Sequence, residues 1–150
     1  MENNAVKNLI NNFVGETEND FCESIYRRYY TYLADSFCEV VEEGCKIIIF
    51  GRKYSLSPRE LYNYDRYLAV EAWGSHLDDQ FGNFRDWMNG VMSDELDEFT
   101  EEFQQWLASQ DDERASDVIV ALMTGDVDLT EAIIDWLYDR LSNEDWDYPA

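Results

Sequence analysis

The residues of this 150-residue chain that could do chemistry are one histidine, His76, three cysteines, Cys22, Cys38 and Cys45, and 33 Asp and Glu. A single imidazole excludes any metal site that needs two or more of them. A Cys–His catalytic pair would have to recruit His76, yet no local signature surrounds any of the cysteines, and a partly buried helical histidine is the more frequent case. The cysteines are odd in number and lack metal-ligand spacing, so they are expected to be reduced thiols used as small core residues. The segment GDVDLTEAIIDW first resembles a calcium loop, because Asp126, Asp128 and Thr130 fall on alternate positions. It lacks the glycine required at the sixth position and the glutamate at the twelfth, where Glu131 and Leu137 stand. Asp128 as a helix N-cap with Glu131 as its capping-box partner is the better account. Phosphate-binding glycine loops, nucleophile elbows and paired-cysteine motifs are missing, and a carboxylate pair drawn from 33 is uninformative. The expectation is a non-enzymatic protein with no cofactor and no metal.

Information lies instead in how the carboxylates are placed. Residues 94–150 hold 18 Asp and Glu against 2 Arg, a balance of −16, whereas residues 1–93 hold 15 against 9, a balance of −6. In SDELDEFTEEFQQW, Leu96, Phe99, Phe103, Trp106 and Leu107 make an apolar stripe at helical spacing. Asp94, Glu98 and Glu102 then form one outer row, and Asp97 and Glu101 another. The last helical segment repeats the device: Leu129, Ile133, Trp136, Leu137 and Leu141 face inward, and Glu131, Asp135 and Asp139 recur every four residues. Like charges four apart on a helix cost about 0.2–0.5 kcal/mol per pair. Helix-dipole attraction accounts for Asp94, Glu95 and Glu131 in first turns. It does not account for Glu101, Glu102, Asp135 and Asp139 further along.

These rows need rigid elements to carry them. With 45% apolar and 15% aromatic residues the chain can bury a sizeable core, which predicts one compact domain over 1–150 whose acidic helical third is 94–147. Two prolines, seven glycines and no internal repeat favour helices. The pattern predicts a mainly α fold of about six to seven helices near 2–14, 19–43, 58–73, 76–90, 94–109, 112–124 and 128–142. The second has an apolar stripe of Cys22, Ile25, Tyr29, Leu33, Phe37, Val40 and Val41. CKIIIFGRKYSL predicts one small β-hairpin near 46–56 with a glycine-led turn. Ser57, Pro58 and Glu60 form a capping box that opens the next helix. No apolar run approaches the roughly 18 residues of a membrane span, and MENNAVKN has neither the basic start nor the apolar stretch of a signal peptide. A cytoplasmic protein is the default expectation.

A net charge of −22 repels nucleic acid and anionic membranes and speeds encounter with basic surfaces, so the expected partner is a positively charged protein. Duplex DNA carries one negative charge per ~1.7 Å of axis, and its binding proteins present matching Lys and Arg grooves. In size, acidity and rows such as DELDEFTEEF and TEAIIDWLYD, the chain resembles the DNA-mimic inhibitors of phages and mobile elements: anti-restriction proteins, some anti-CRISPR proteins and uracil-DNA glycosylase inhibitors. The resemblance is to a functional class and covers mainly the C-terminal third. It implies an inhibitor that occupies the basic DNA-binding cleft of a host restriction enzyme, CRISPR effector or other nuclease in the bacterial cytoplasm, often as a homodimer. On the residues themselves, the mimic charges would be Asp94, Asp97, Glu98, Glu101, Glu102, Glu131, Asp135 and Asp139. Trp146 and Tyr148, exposed amid carboxylates, would be aromatic anchors. Four other accounts fit the same composition: an immunity protein against a basic toxin nuclease, an acidic adaptor without mimicry, a generic solvated surface and halophilic adaptation. The basic cluster Lys46, Arg52, Lys53, Arg59 and Arg66 reads as charged strand edges that discourage pairing, or as a patch that meets the acidic face of a second copy. The aromatic run YRRYYTYL over 26–33 reads as core or interface.

Overall fold

The computed structural model of the chain describes residues 3–44, 46–144 and 146–149. The fold is mainly α, with eight helices among these residues. In order they are α1 (Asn3–Thr17), α2 (Phe21–Gly44), strands β1 (Lys46–Ile49) and β2 (Arg52–Ser55), α3 (Pro58–Tyr64), α4 (Arg66–Phe81), α5 (Phe84–Gly90), α6 (Ser93–Ser109), α7 (Glu113–Thr124) and α8 (Leu129–Leu141). The described residues group into two compact units, one from 3–24 with 84–144 and the other from 25–83 with 146–149. Composition fixes how much apolar surface there is to bury and says nothing about how it is divided.

In the first unit, α1 buries Val6, Leu9, Ile10 and Phe13, spaced three and four residues apart so that they share one face. The Phe13 ring meets Phe99, Phe103 and Trp106 of α6 edge-on at 5.4, 5.5 and 5.7 Å, the offset geometry that aromatic quadrupoles favour. Helix α8 contributes Ile133, Leu137 and Leu141, and its Trp136 stacks on Phe99 at 6.2 Å. The Trp136 Nε1 donates to Asn11 Oδ1 at 2.9 Å, so this half-buried donor is satisfied.

Helix boundaries follow local chemistry. Asp112 caps α7, and Gly125 ends it in the left-handed conformation at φ +78°, where a glycine avoids the Cβ clash. Asp128 caps α8 by accepting from Glu131 N at 3.3 Å, which uses a carboxylate of the calcium-like segment structurally. Helix α6 runs over Ser93–Ser109 with Leu96, Phe99, Phe103 and Leu107 buried; Trp106, expected in the stripe, is half-buried and donates from Nε1 to Glu16 Oε2 at 3.1 Å.

In the second unit, α2 buries Ile25, Tyr29, Leu33, Phe37 and Val41 at intervals of four. Val40, expected in that stripe, is instead 52% exposed, since an adjacent position on a helix turns about 100° away. Ser57 accepts from Glu60 N at 3.2 Å and Pro58 opens α3, as the capping box predicts. The helix expected over 58–73 is interrupted, however. Asp65 is extended at φ −149° and its Oδ1 accepts from Leu68 N at 3.1 Å, so one residue closes α3 and caps α4. The break expected near Gly74 and Ser75 is absent, and α4 continues through them to Phe81. Strands β1 and β2 pair antiparallel, with Ile49 opposite Arg52. Their connection is Phe50–Gly51, at φ +50° and +78°, so Phe50 stands ahead of the glycine expected to lead the turn.

Candidate partner-binding face

Helix α6 positions the first acidic row. Because Leu96, Phe99, Phe103 and Leu107 are held in the first unit's core, the opposite side of the helix must face water. Asp94, Asp97, Glu98, Glu101 and Glu102 are all exposed there, and Glu95 is half-buried. From Asp94 to Glu102 the helix rises about 12 Å, so five exposed charges lie at roughly one per 2.4 Å. Duplex DNA would present about seven phosphates over the same length. Among the described residues, ion pairs join Lys7 and Arg85 to carboxylates, and neither cation reaches α6. Glu102 Oε2 accepts a hydrogen bond from Asn19 Nδ2 at 3.2 Å.

The second row, on α8, is placed differently. Glu131 and Asp139 are exposed and Asp135 is half-buried. Arg85 spans the first two members, its Nη1 pairing with Glu131 and its Nη2 lying 3.3 Å from Asp135 Oδ1. Lys7 Nζ closes on Asp139 Oδ2 at 2.6 Å. The spacing of Glu131, Asp135 and Asp139 therefore has an internal counterpart, a row of cations from α1 and α5, whereas that of the α6 row has none among the described residues. Sequence reading missed Lys7 and Arg85 because they lie 46 to 132 residues from their partners. The one available signal was Arg85 itself, an isolated cation in the stretch 67–113.

A groove of about 310 Å³ lies alongside α6, lined by Asn19, Asp20, Phe21, Ser24, Glu95, Glu98, Phe99 and Glu102. Its apolar part is the stacked pair Phe21 and Phe99, with centroids 4.2 Å apart. Its acidic rim adds Asp20 and Glu95 to the charges read from the sequence.

The two aromatic anchors expected at the C-terminus are not available in this form. Trp146 is buried, with 9% of its surface exposed, and stacks on Tyr26 at 4.6 Å and Tyr30 at 5.7 Å. Its carbonyl accepts from Trp73 Nε1 at 3.2 Å. Tyr148 is half-buried, lies edge-on to Phe37 at 5.7 Å and donates from its hydroxyl to the Pro58 carbonyl at 2.7 Å. Carboxylate neighbours in sequence suggested exposure, but the segment 146–149 packs its rings into the second unit's aromatic cluster. YRRYYTYL supplies Tyr26, Tyr29 and Tyr30 to that cluster, with Tyr29 and Leu33 buried while Arg27, Arg28, Thr31 and Tyr32 stay exposed.

Cys22 and Cys38 are free, half-buried thiols, and burial pushes both above the ordinary thiol range. Such thiols are poor nucleophiles. Cys45 lies outside the described residues. His76 is buried, and burial pushes its pKa below the usual histidine value against the opposing pull of a hydrogen bond to the Leu33 backbone and of Asp79. Among the described residues, no group of three or more His, Cys, Asp or Glu is placed to hold a metal ion. No described helix is long and apolar enough to cross a membrane.

No family model, curated protein or solved structure matches this chain. The functional reading therefore rests on the geometry of the acidic faces alone.

Proposed function

We propose that the chain is a non-enzymatic DNA mimic that inhibits a host nucleic-acid-binding defence protein, a restriction enzyme or CRISPR effector, by occupying its basic cleft. The carrying observation is the exposed quintet Asp94, Asp97, Glu98, Glu101 and Glu102, which has no ion-pair partner among the described residues. Three like-charged pairs four residues apart on α6 cost the fold about 0.6–1.5 kcal/mol in total. A surface that is only solvated would relieve that cost with an occasional Lys or Arg, and α6 has none. A basic cleft supplies the missing cations from outside, and each well-matched pair that loses its water adds affinity while rim pairs raise the on-rate. Glu131, Asp135 and Asp139 are secondary members in this proposal, since Arg85 and Lys7 offset them.

The proposed setting is a bacterial cytoplasm, with no direct binding to nucleic acid or membrane. An immunity protein for a basic toxin nuclease would use the same face and differ only in its target. The test is retention of bacterial lysate proteins on the immobilised full chain, with and without excess duplex DNA. A DNA-processing protein that is retained and then displaced by DNA supports mimicry. Partners indifferent to DNA would return the acidic face to a solvated surface or an adaptor.

A further inference from the structure

The α6 face changes character along its length. Carboxylates end at Glu102, and the exposed positions that follow on α6 are Gln104, Gln105, Ala108 and Ser109. Beside this uncharged end lies a groove of about 210 Å³, lined by Gln104, Leu107, Ala108, Ile119, Leu122 and Met123. The three residues 110–112 return the chain from α6 into α7, so the two helices form the groove walls. Met123 is 83% exposed on its rim, and Val120, also on α7, is 59% exposed. Methionine adapts its shape to incoming apolar groups, and exposed methionines suit binding surfaces. The volume falls below the roughly 300–1,000 Å³ of small-molecule sites, so it suits one side chain and not a free ligand.

We infer that this groove seats a single apolar side chain from a helical, Lys- or Arg-bearing segment of the target, whose cations reach the α6 carboxylates. The inference rests on the proposed function and specifies its partner. Charge complementarity selects the occupant. Asp97, Glu101, Gln104 and Ala108 follow one another at intervals of four, three and four, so they line one flank of α6. Ala108 lies about 10 Å from Glu101 and about 16 Å from Asp97 along the axis. A partner helix has the same rise, so its cations would stand seven and eleven residues from its apolar anchor. This is the helix-in-groove mode of recognition with an electrostatic extension.

The probe is an alanine-based helical peptide of about 25 residues, long enough to hold a helix in water. It carries a central Leu and Lys at seven and eleven residues on either side, and its companion has Ser for Leu. Fluorescence anisotropy with the full chain is expected to give roughly ten-fold or greater preference for the Leu peptide. Ala108→Trp and Met123→Gln, both at exposed positions, are each expected to erase that preference, so that the Leu and Ser peptides bind the variant alike. Equal affinity of the two peptides for the unaltered chain would overturn the groove, and the polyanion reading would survive if neutralising α6 still abolished binding. Peptide binding that ignores α6 neutralisation would overturn the polyanion reading itself. A dimer in light scattering that Ala108→Trp converts to monomer would assign the groove to a second copy and overturn the inference.

Discussion

Replacing Asp94 and Asp97 by Asn and Glu98, Glu101 and Glu102 by Gln removes five charges from α6 while keeping every side chain close to its original size. In the fold, the change relieves three repulsive pairs, Asp94–Glu98, Glu98–Glu102 and Asp97–Glu101, worth about 0.6–1.5 kcal/mol together. Against this stands the lost attraction between Asp94 and the α6 N-terminus, about 0.3–1 kcal/mol. The net expectation runs from a loss of about 0.4 kcal/mol to a gain of about 1 kcal/mol. For a cooperative chain of this size, that is a rise in Tm of up to about 4 °C. Circular dichroism melts at low ionic strength are the assay, because salt screens the effect. The gain should shrink toward zero in 0.5 M NaCl. A variant that loses more than about 1 kcal/mol would refute the reasoning, since it would mean that these carboxylates hold the fold together and need no external partner.

The α8 row should respond in the opposite sense. Arg85→Met leaves Glu131 and Asp135 without their shared cation and is expected to cost about 0.4–2 kcal/mol in urea unfolding, from two exposed pairs of about 0.2–1 kcal/mol each; a neutral result would show that the pairs are ornamental. Trp146→Ala removes a buried indole packed against the rings of Tyr26, Tyr29 and Tyr30, with an expected loss of about 3–5 kcal/mol. A loss below 1 kcal/mol by the same assay would restore Trp146 as an exposed anchor. His76 predicts a pH effect: its Nε2 is buried with no hydrogen-bond partner among the described residues, and its folded pKa lies below 6.5. The unfolded chain then takes up the proton first, so stability is full above about pH 6.5 and falls as pH drops toward the folded value. His76→Phe should flatten the curve in that window while leaving the carboxylate titration at lower pH intact, and identical curves for the two chains would contradict the assignment.

Local periodicity made the helical class legible, because a buried stripe at intervals of three and four is visible wherever one helix face meets a core. Ser57 and Asp128 were readable for a similar reason: a cap acts within three residues of itself. Asp65 was not, since an Asp inside a helical pattern looks the same whether it sits on the surface or turns to cap the next helix. Gly74 shows the converse. A mid-helix glycine costs only about 1 kcal/mol, which the packing of Ala69, Trp73 and His76 can override. The acidic rows were visible as spacing, but their different environments were not. Whether Arg85 reaches Glu131 and Asp135 depends on how distant helices pack, which spacing along one helix cannot reveal. Burial of Trp146 was hidden in the same way, because its ring partners lie 116 and 120 positions earlier in the chain.

The most direct test of the central claim is a competition titration with a DNA-binding protein recovered on the immobilised chain. Labelled duplex DNA is bound to that protein, and the full chain or its α6-neutralised variant is added while anisotropy is followed. The account predicts that the unaltered chain displaces the duplex, that displacement weakens as salt is raised, and that the folded α6-neutralised variant displaces little or none. Displacement by the folded variant at the same concentration as the unaltered chain would contradict it.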